Sequence, residues 1–137
     1  MPGFEVIDHT ADVGIAAYGS DLKEAFSSAA YGMFSLIAEM EGVGSDALRR
    51  IEIEAPDQEA LLVAWLNELL YLFDVDRIIF SDFEIDKLGE TSLRATVRGE
   101  KVDASRHHLR TGIKAATYHS LEIAKGDGVR IQVILDV

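Results

Sequence analysis

Residues 58 to 73 constrain the fold most strongly, because they predict a helix that is apolar over more of its surface than one buried face requires. Pro56 and Asp57 interrupt the preceding segment. The large apolar residues that follow are Leu61, Leu62, Trp65, Leu66, Leu69, Leu70, Leu72 and Phe73. A helix with one side in water has a narrower apolar stripe than this. We therefore expect this helix to be the central packing element, with Trp65 in the core.

A second helix is predicted to begin at Ser20-Asp21, two residue types that favour the N-cap position. Its apolar residues recur at helical spacing: Leu22, Ala25, Phe26, Ala29, Ala30, Met33, Leu36, Ile37 and Met40. The glycines in residues 41–45 predict a loop after it.

The remaining segments predict strands, by alternating polarity or by apolar runs bounded by turn residues. They are residues 4–8, 13–18, 50–55, 77–88 (one strand or a bent pair), 91–97, the later half of 112–124, and 129–137. Gly89-Glu90 and Gly126-Asp127-Gly128 predict hairpin turns. The sequence thus predicts one α+β domain over residues 1–137: a two-layer sandwich of a mostly antiparallel sheet, with two main helices covering one face.

The composition is that of a globular protein, with 48% hydrophobic and 27% charged residues in 137. The absence of cysteine excludes disulfides, a thiolate zinc site and a cysteine nucleophile. Any bound metal must therefore have oxygen or imidazole ligands. There is no apolar run of the roughly 18 residues that crossing a bilayer requires, and no basic-then-apolar N-terminal segment. These features predict no membrane association and a cytoplasmic location.

The net charge of −11 disfavours direct binding to a nucleic-acid backbone. The charge is unevenly distributed: residues 1–93 contain 19 acids and 5 bases, whereas residues 94–137 contain 5 acids and 8 bases. A locally basic surface is therefore expected in the C-terminal third.

The densest group of polar side chains is Asp8-His9-Thr10-Ala11-Asp12, which lies between two predicted strands. A turn can bring Asp8 and Asp12 together to bind a hard cation. Asp136 and the Val137 carboxylate would add further oxygens. Such a site favours Ca²⁺, Mg²⁺ or Mn²⁺, and His9 would also admit Zn²⁺. An ordinary polar turn, with side chains bonded to their own backbone, explains the same residues.

A second polar group is cationic and lies late in the chain. It consists of Arg106, His107, His108, Arg110, Lys114, Tyr118 and His119. Its spacing matches no regular zinc motif. It predicts a patch that contacts phosphate or an acidic partner. The alternative is a solvated loop with one satisfied core histidine, His119.

The sequence contains no phosphate-binding loop, no dinucleotide-binding glycine motif and no nucleophile elbow. Nothing in it indicates a self-sufficient enzyme. A metal-dependent phosphoesterase remains an alternative, although no nucleophile or substrate groove can be named for it.

The chain resembles the archease family. The resemblance rests on Asp8-His9-Thr10-Ala11-Asp12-Val13-Gly14, on Lys114-Ala115-Ala116-Thr117-Tyr118-His119, and on the closing Leu135-Asp136-Val137. Length and motif order agree across the whole chain.

The resemblance implies an accessory protein, not itself an enzyme, that activates an RtcB-type tRNA-splicing RNA ligase. Such ligases join a 3′-phosphate or 2′,3′-cyclic phosphate to a 5′-hydroxyl through a guanylated histidine, using GTP and Mn²⁺. Archeases promote that guanylation and multiple turnover.

The family's metal site maps onto Asp12, Asp136 and Val137, with Asp8 and His9 as less certain additions. Ca²⁺ is the expected ion in the isolated protein, with Mn²⁺ or Mg²⁺ as alternatives. We expect Lys114, Arg106, Arg110 and His119 to contact the partner or a phosphate. The resemblance also offers an alternative function, that of a chaperone-like protein controlling the oligomeric state and specificity of a tRNA methyltransferase.

Overall fold

The computed structural model describes residues 3–8 and 12–137, except for the side chain of Asp8. The elements are β1 (Gly3–Asp8), β2 (Val13–Gly19), α1 (Leu22–Ile37), β3 (Ala47–Glu54), α2 (Gln58–Asp76), β4 (Ile78–Leu88), β5 (Ser92–Lys101), β6 (Ala115–Lys125) and β7 (Val129–Asp136). The α+β fold class, the two main helices and both predicted hairpins are confirmed.

The strands form two sheets in which all neighbouring strands are antiparallel. The larger sheet has the order β1-β2-β7-β6 and the smaller has the order β3-β5-β4. The sequence suggested one sheet. Alternating polarity identifies which side of a strand is buried, but it does not identify the strand's partner, so the division into two sheets was not predictable from the pattern.

Helix α1 packs between the two sheets, which explains why its central turns are buried on nearly all sides. Its N-cap is Asp21, whose side chain accepts a hydrogen bond from the Glu24 N–H at 2.8 Å. Gly32 lies against Phe4 and Ile15 of the larger sheet. The ring of Phe34 lies 5.8 Å from that of Phe80 in the smaller sheet. The helix thus joins the two sheets in one core.

Helix α2 is the second central element, as its apolar residues predict. Trp65 is fully buried, and its indole N–H donates to the Phe26 carbonyl of α1 at 3.1 Å. The helix runs to Asp76, three residues beyond the predicted end at Phe73, and Arg77 closes it in a left-handed conformation. In the described part of the chain, neither helix combines the length and apolarity needed to cross a membrane.

Helix α1 is shorter than predicted, ending at Ile37 instead of near Met40. Ala38 is extended and forms a bridge with Leu109. Just after Leu109, the Arg110 N–H donates to the Ile37 carbonyl at 2.7 Å, and the Thr111 N–H donates to the Leu36 carbonyl at 3.0 Å. A distant loop therefore satisfies carbonyls that a longer helix would have used.

Candidate metal and partner site

One end of the larger sheet collects the acidic residues that the sequence singled out. Val13 of β2 is paired with Leu135 of β7. Asp12 directly precedes β2, and Asp136 is the last residue of β7. Asp12 is half-buried and Asp136 is exposed. Asp12 and Asp136 therefore stand at the same end of the β2–β7 pair, although they are 124 positions apart in the sequence.

Lys114 lies at the same end of the sheet, where β6 begins beside β7. Its backbone N–H donates to the Asp136 carbonyl at 2.8 Å, and Ala115 is the register partner of Asp136. The Lys114 side chain is exposed, and its ammonium makes no ion pair with any side chain that the structure describes, a set that does not include Asp8. It can therefore meet an anion from outside this part of the chain.

The start of β6 is held from its other side by helix α2. The Asn67 Oδ1 accepts a hydrogen bond from the Ala116 N–H at 2.7 Å, and its Nδ2 donates to the Ala116 carbonyl at 3.4 Å. β6 is an edge strand, so these polar groups would otherwise have no strand to pair with. Asn67 thus fixes the segment that carries Lys114 and borders Asp136. No sequence pattern predicts this role for Asn67, whose only local signal is an amide within an apolar helix.

Arg110 lies near the same end of the molecule. Helix α1 runs back along β2: Ala25 lies beside Gly19, and Gly32 lies beside Ile15, so the helix ends near the start of β2. The Arg110 guanidinium donates to the Ser35 carbonyl at 3.0 Å. No basic residue occurs in the last turn of α1, and a cation here is favourable for the helix dipole.

Arg106 is engaged in a network around Glu100. Its guanidinium makes a two-pronged ion pair with the Glu100 carboxylate, with a 2.8 Å contact between Nη2 and Oε1. The same carboxylate accepts from the Gly44 N–H at 2.9 Å. These contacts join the loop after α1 to the loop after β5. Arg106 is therefore paired with an acid, whereas Lys114 has no acidic partner among the described side chains.

His107 is the buried histidine of the chain's described part, with only 3% of its side chain exposed. Its Nδ1 accepts from the Asp103 N–H at 2.8 Å, so the neutral ring carries its proton on Nε2, which lies 3.0 Å from Glu100 Oε1. The suggestion of His119 as a satisfied core histidine was wrong, because His119 is exposed. His119 lies in the irregular part of β6, between Thr117 and Glu122, where the register with β7 shifts.

The Glu100 network lowers the pKa of that carboxyl group. The largest cause is the hydrogen bond from the Gly44 N–H, followed by the hydrogen bond from His107 and then by the positive charge of Arg106. Each of these favours the ionised form. Glu100 thus remains a carboxylate that anchors the two loops.

Two of the candidate ligands lie outside the described residues: His9 altogether, and Asp8 by its side chain. The backbone of Asp8 ends β1 opposite Val13, at the same end of the sheet. Val137 directly follows β7 and is 38% exposed. Within the residues that are described, no three His, Asp or Glu side chains form a group that could hold a metal ion.

Comparisons with known proteins converge on one family. The model of the archease protein family (MTH1598/TM1083) matches residues 4–137. The chain is 45% identical to the protein archease of Methanosarcina barkeri, with 98% of this chain and 95% of that protein covered. It is 40% identical to the protein archease of Methanothermobacter thermautotrophicus, with both chains fully covered.

A solved structure agrees with these matches. The solution structure of Methanobacterium thermoautotrophicum protein 1598 superimposes with a TM-score of 0.84 at 40% sequence identity. The alignment covers 98% of this chain and 99% of that one. The fold is therefore shared over essentially the full length of both proteins.

Proposed function

The chain belongs to the archease family, and from this premise we propose that it is an accessory protein that activates an RtcB-type tRNA-splicing RNA ligase. In this role it promotes guanylation of the ligase histidine and so permits repeated turnover. The observation that carries the proposal is the strand register at one end of the larger sheet. Val13 pairs with Leu135 in that register, and the Lys114 N–H is bonded to the Asp136 carbonyl, so Asp12, Asp136 and Lys114 belong to the same end of the sheet.

The donor set at this end suits a hard divalent cation. Asp12 and Asp136 offer carboxylate oxygens, and hard cations such as Ca²⁺ and Mg²⁺ prefer oxygen ligands. In the proposal these two residues and Val137 would hold the ion, with Asp8 and His9 as further candidates. When bound, the ion would offset negative charge that develops during nucleotidyl transfer. Ca²⁺ is the proposed occupant of the isolated protein, and Mn²⁺ or Mg²⁺ are alternatives.

Lys114 is proposed to contact a phosphate or an acidic group of the ligase. Its exposed ammonium has no acidic partner among the described residues, and it stands beside the proposed metal ligands. A lysine in this position can bind phosphate as a point charge. Arg110 is a further proposed contact at this end. Arg106, which is paired with Glu100, and His119 are further proposed contacts.

The net charge supports a protein partner over a nucleic acid. At −11, the chain as a whole repels a phosphate backbone. The proposed division of roles therefore leaves RNA binding to the ligase, while this chain acts on the ligase active site.

A ligase turnover assay tests the proposal. Purified RtcB-type ligase, GTP, Mn²⁺ and cleaved tRNA halves are incubated with and without this chain, and joined RNA per ligase molecule is measured. The proposal predicts several turnovers only when the chain is present. RNA joining by the chain alone would instead indicate an enzyme. A lack of stimulation at saturating concentrations would contradict the accessory role.

A further inference from the structure

The last two turns of α2 present apolar side chains to solvent. Tyr71 is 59% exposed and Val75 is 58% exposed, in a helix whose preceding apolar residues are largely buried. Glu68, Tyr71 and Val75 follow one another at i, i+3 and i+7, so they share one face of the helix. This face is here called the α2 surface. Within the described part of the chain no other element covers it.

Two contacts determine where the α2 surface lies relative to the candidate site. Near the start of α2, Gln58 Oε1 accepts from Lys125 Nζ at the end of β6. Nine residues later, Asn67 bonds to Ala116 near the start of β6. The helix therefore runs antiparallel to β6. Tyr71 is one turn farther, about 6 Å along the helix axis, on the side toward Lys114. The α2 surface thus borders the end of the molecule that carries Lys114 and Asp136.

The end of α2 is firmly held, which makes the surface a rigid platform. Asp76 forms an ion pair with Arg49 of β3 at 3.1 Å, and its carbonyl accepts from Lys101 Nζ at 2.9 Å. The Arg77 N–H donates a hydrogen bond to the Phe73 carbonyl at 3.0 Å, which ends the helix. Because the helix end is ordered before binding, a partner would lose little affinity in fixing it.

The charged residues of α2 itself are all acidic. Residues 58–76 contain four acids and no lysine or arginine. The bases at the end of the helix already have partners there: Arg49 and Lys101 contact Asp76, and Arg77 lies over the Phe73 ring. Among the described residues, neither Glu68 nor Asp74 forms an ion pair. An apolar patch with unpaired carboxylates at its rim complements a protein surface that combines apolar and basic side chains.

We infer that the α2 surface, centred on Tyr71 and Val75, is a docking site for a basic, apolar surface of the protein partner. The inference rests on the proposed function, because the partner is taken to be the ligase. In this arrangement Tyr71 and Val75 provide apolar anchoring, and Glu68 and Asp74 provide charge complementarity. Docking here would place the end of the larger sheet that contains Lys114 and Asp136 next to the active-site cleft of the ligase.

The test measures binding of the full-length chain to purified RtcB-type ligase by calorimetry. The double variant Tyr71→Ser/Val75→Ser should weaken the Kd about tenfold or more, as removal of central apolar anchors does. Its melting temperature and its Ca²⁺ titration should match those of the wild type. Tyr18→Ser is the matched control, since Tyr18 is an exposed tyrosine at the opposite end of the larger sheet. Its ligase affinity should be unchanged.

A charge variant gives an independent reading in case the double variant loses stability. Asp74→Lys should weaken binding and reduce its dependence on salt, because it reverses one rim charge. Wild-type affinity in both the double variant and Asp74→Lys, with wild-type stimulation of the ligase, would overturn the docking site but leave the proposed function intact. A wild-type chain that neither binds nor stimulates the ligase would overturn both.

Discussion

Asn67 and Ala116 form a reciprocal pair in which one side-chain amide satisfies both backbone polar groups of an edge-strand residue. The Oδ1 accepts at 2.7 Å and the Nδ2 donates at 3.4 Å. Through these two hydrogen bonds, helix α2 fixes the position of the start of β6. Because Lys114 N–H and the Asp136 carbonyl are bonded just beyond it, the helix indirectly positions the candidate site.

Replacement of Asn67 by alanine should therefore reduce both stability and site function. Two half-buried hydrogen bonds would be lost, at a cost of about 1–2 kcal/mol in the free energy of unfolding. Urea unfolding measures this loss. Asn67→Asp is the matched control, because it keeps the acceptor for the shorter bond. An Asn67→Ala protein as stable as the wild type would show that the pair does not hold β6.

Gly99 should tolerate no side chain. A Cβ at this position would overlap the Ile79 carbonyl and would lie 2.7 Å from the Phe80 Cα. Both contacts are with backbone, at the irregularity where β4 and β5 change register, so neither can be relieved by a side-chain rotation. Gly99→Ala is expected to cost about 3 kcal/mol or more, or to prevent folding. Gly112→Ala should be nearly neutral, because no atom of the described residues lies within 4 Å of its added Cβ. Thermal unfolding of the two variants, made in parallel, compares them.

The Glu100 network should make stability depend on pH in the acidic range. The pKa of Glu100 is lowered in the folded protein, so the unfolded chain takes up its proton at a higher pH than the folded one. The stabilisation is thus fully present above the unfolded value of about 4.3, and it is lost as the pH falls through the lowered folded value.

The comparison of wild type with Glu100→Gln isolates this contribution. Glutamine keeps the shape but cannot ionise, so the difference in melting temperature should be largest near neutral pH and should shrink as the pH falls below about 4. If the difference in melting temperature stays constant over this pH range, the charge of the Glu100 carboxylate contributes nothing to stability.

Lys114→Ala separates partner contact from folding. An exposed lysine contributes little to stability, so the melting temperature and the Ca²⁺ affinity should be unchanged, while the rate of ligase guanylation in the mixed assay should fall. Lys125→Ala is the matched control, because Lys125 ends the same strand at the opposite end of the sheet. Normal stimulation by Lys114→Ala would identify Lys114 as a solvated residue only. Joint loss of stability and stimulation would indicate that its stem packs on the sheet.

The sequence predicted the helices and most strands because local periodicity reflects burial directly. Trp65 and the apolar residues around it are central in the fold, as expected. Strand partners were less predictable, since alternation constrains the buried face and not the neighbour. The presence of Asp12 and Asp136 at the same end of the larger sheet follows from the pairing of β2 with β7, which no local pattern encodes.

The sequence pattern also did not predict the different roles of the cationic residues. Arg106, His107 and Arg110 all belong to one polar stretch, but the structure gives them different partners. Glu100, a residue of β5, engages both Arg106 and His107, whereas Arg110 contacts the end of α1. Long-range packing decides which histidine is buried, so His107 could not be distinguished from His119 by composition.

Covalent guanylation of the ligase, measured with radiolabelled GTP in the presence of wild-type chain or Asp136→Asn, tests whether Asp136 contributes to activation of the ligase. Asparagine preserves size and removes the charge, and Asp136 is exposed, so the variant should fold normally. We predict that the wild type accelerates guanylation, and that Asp136→Asn binds Ca²⁺ more weakly and accelerates guanylation less, at an unchanged melting temperature. Equal acceleration by the two proteins would show that Asp136 has no part in activation, and no acceleration by the wild type would show that the chain does not activate the ligase.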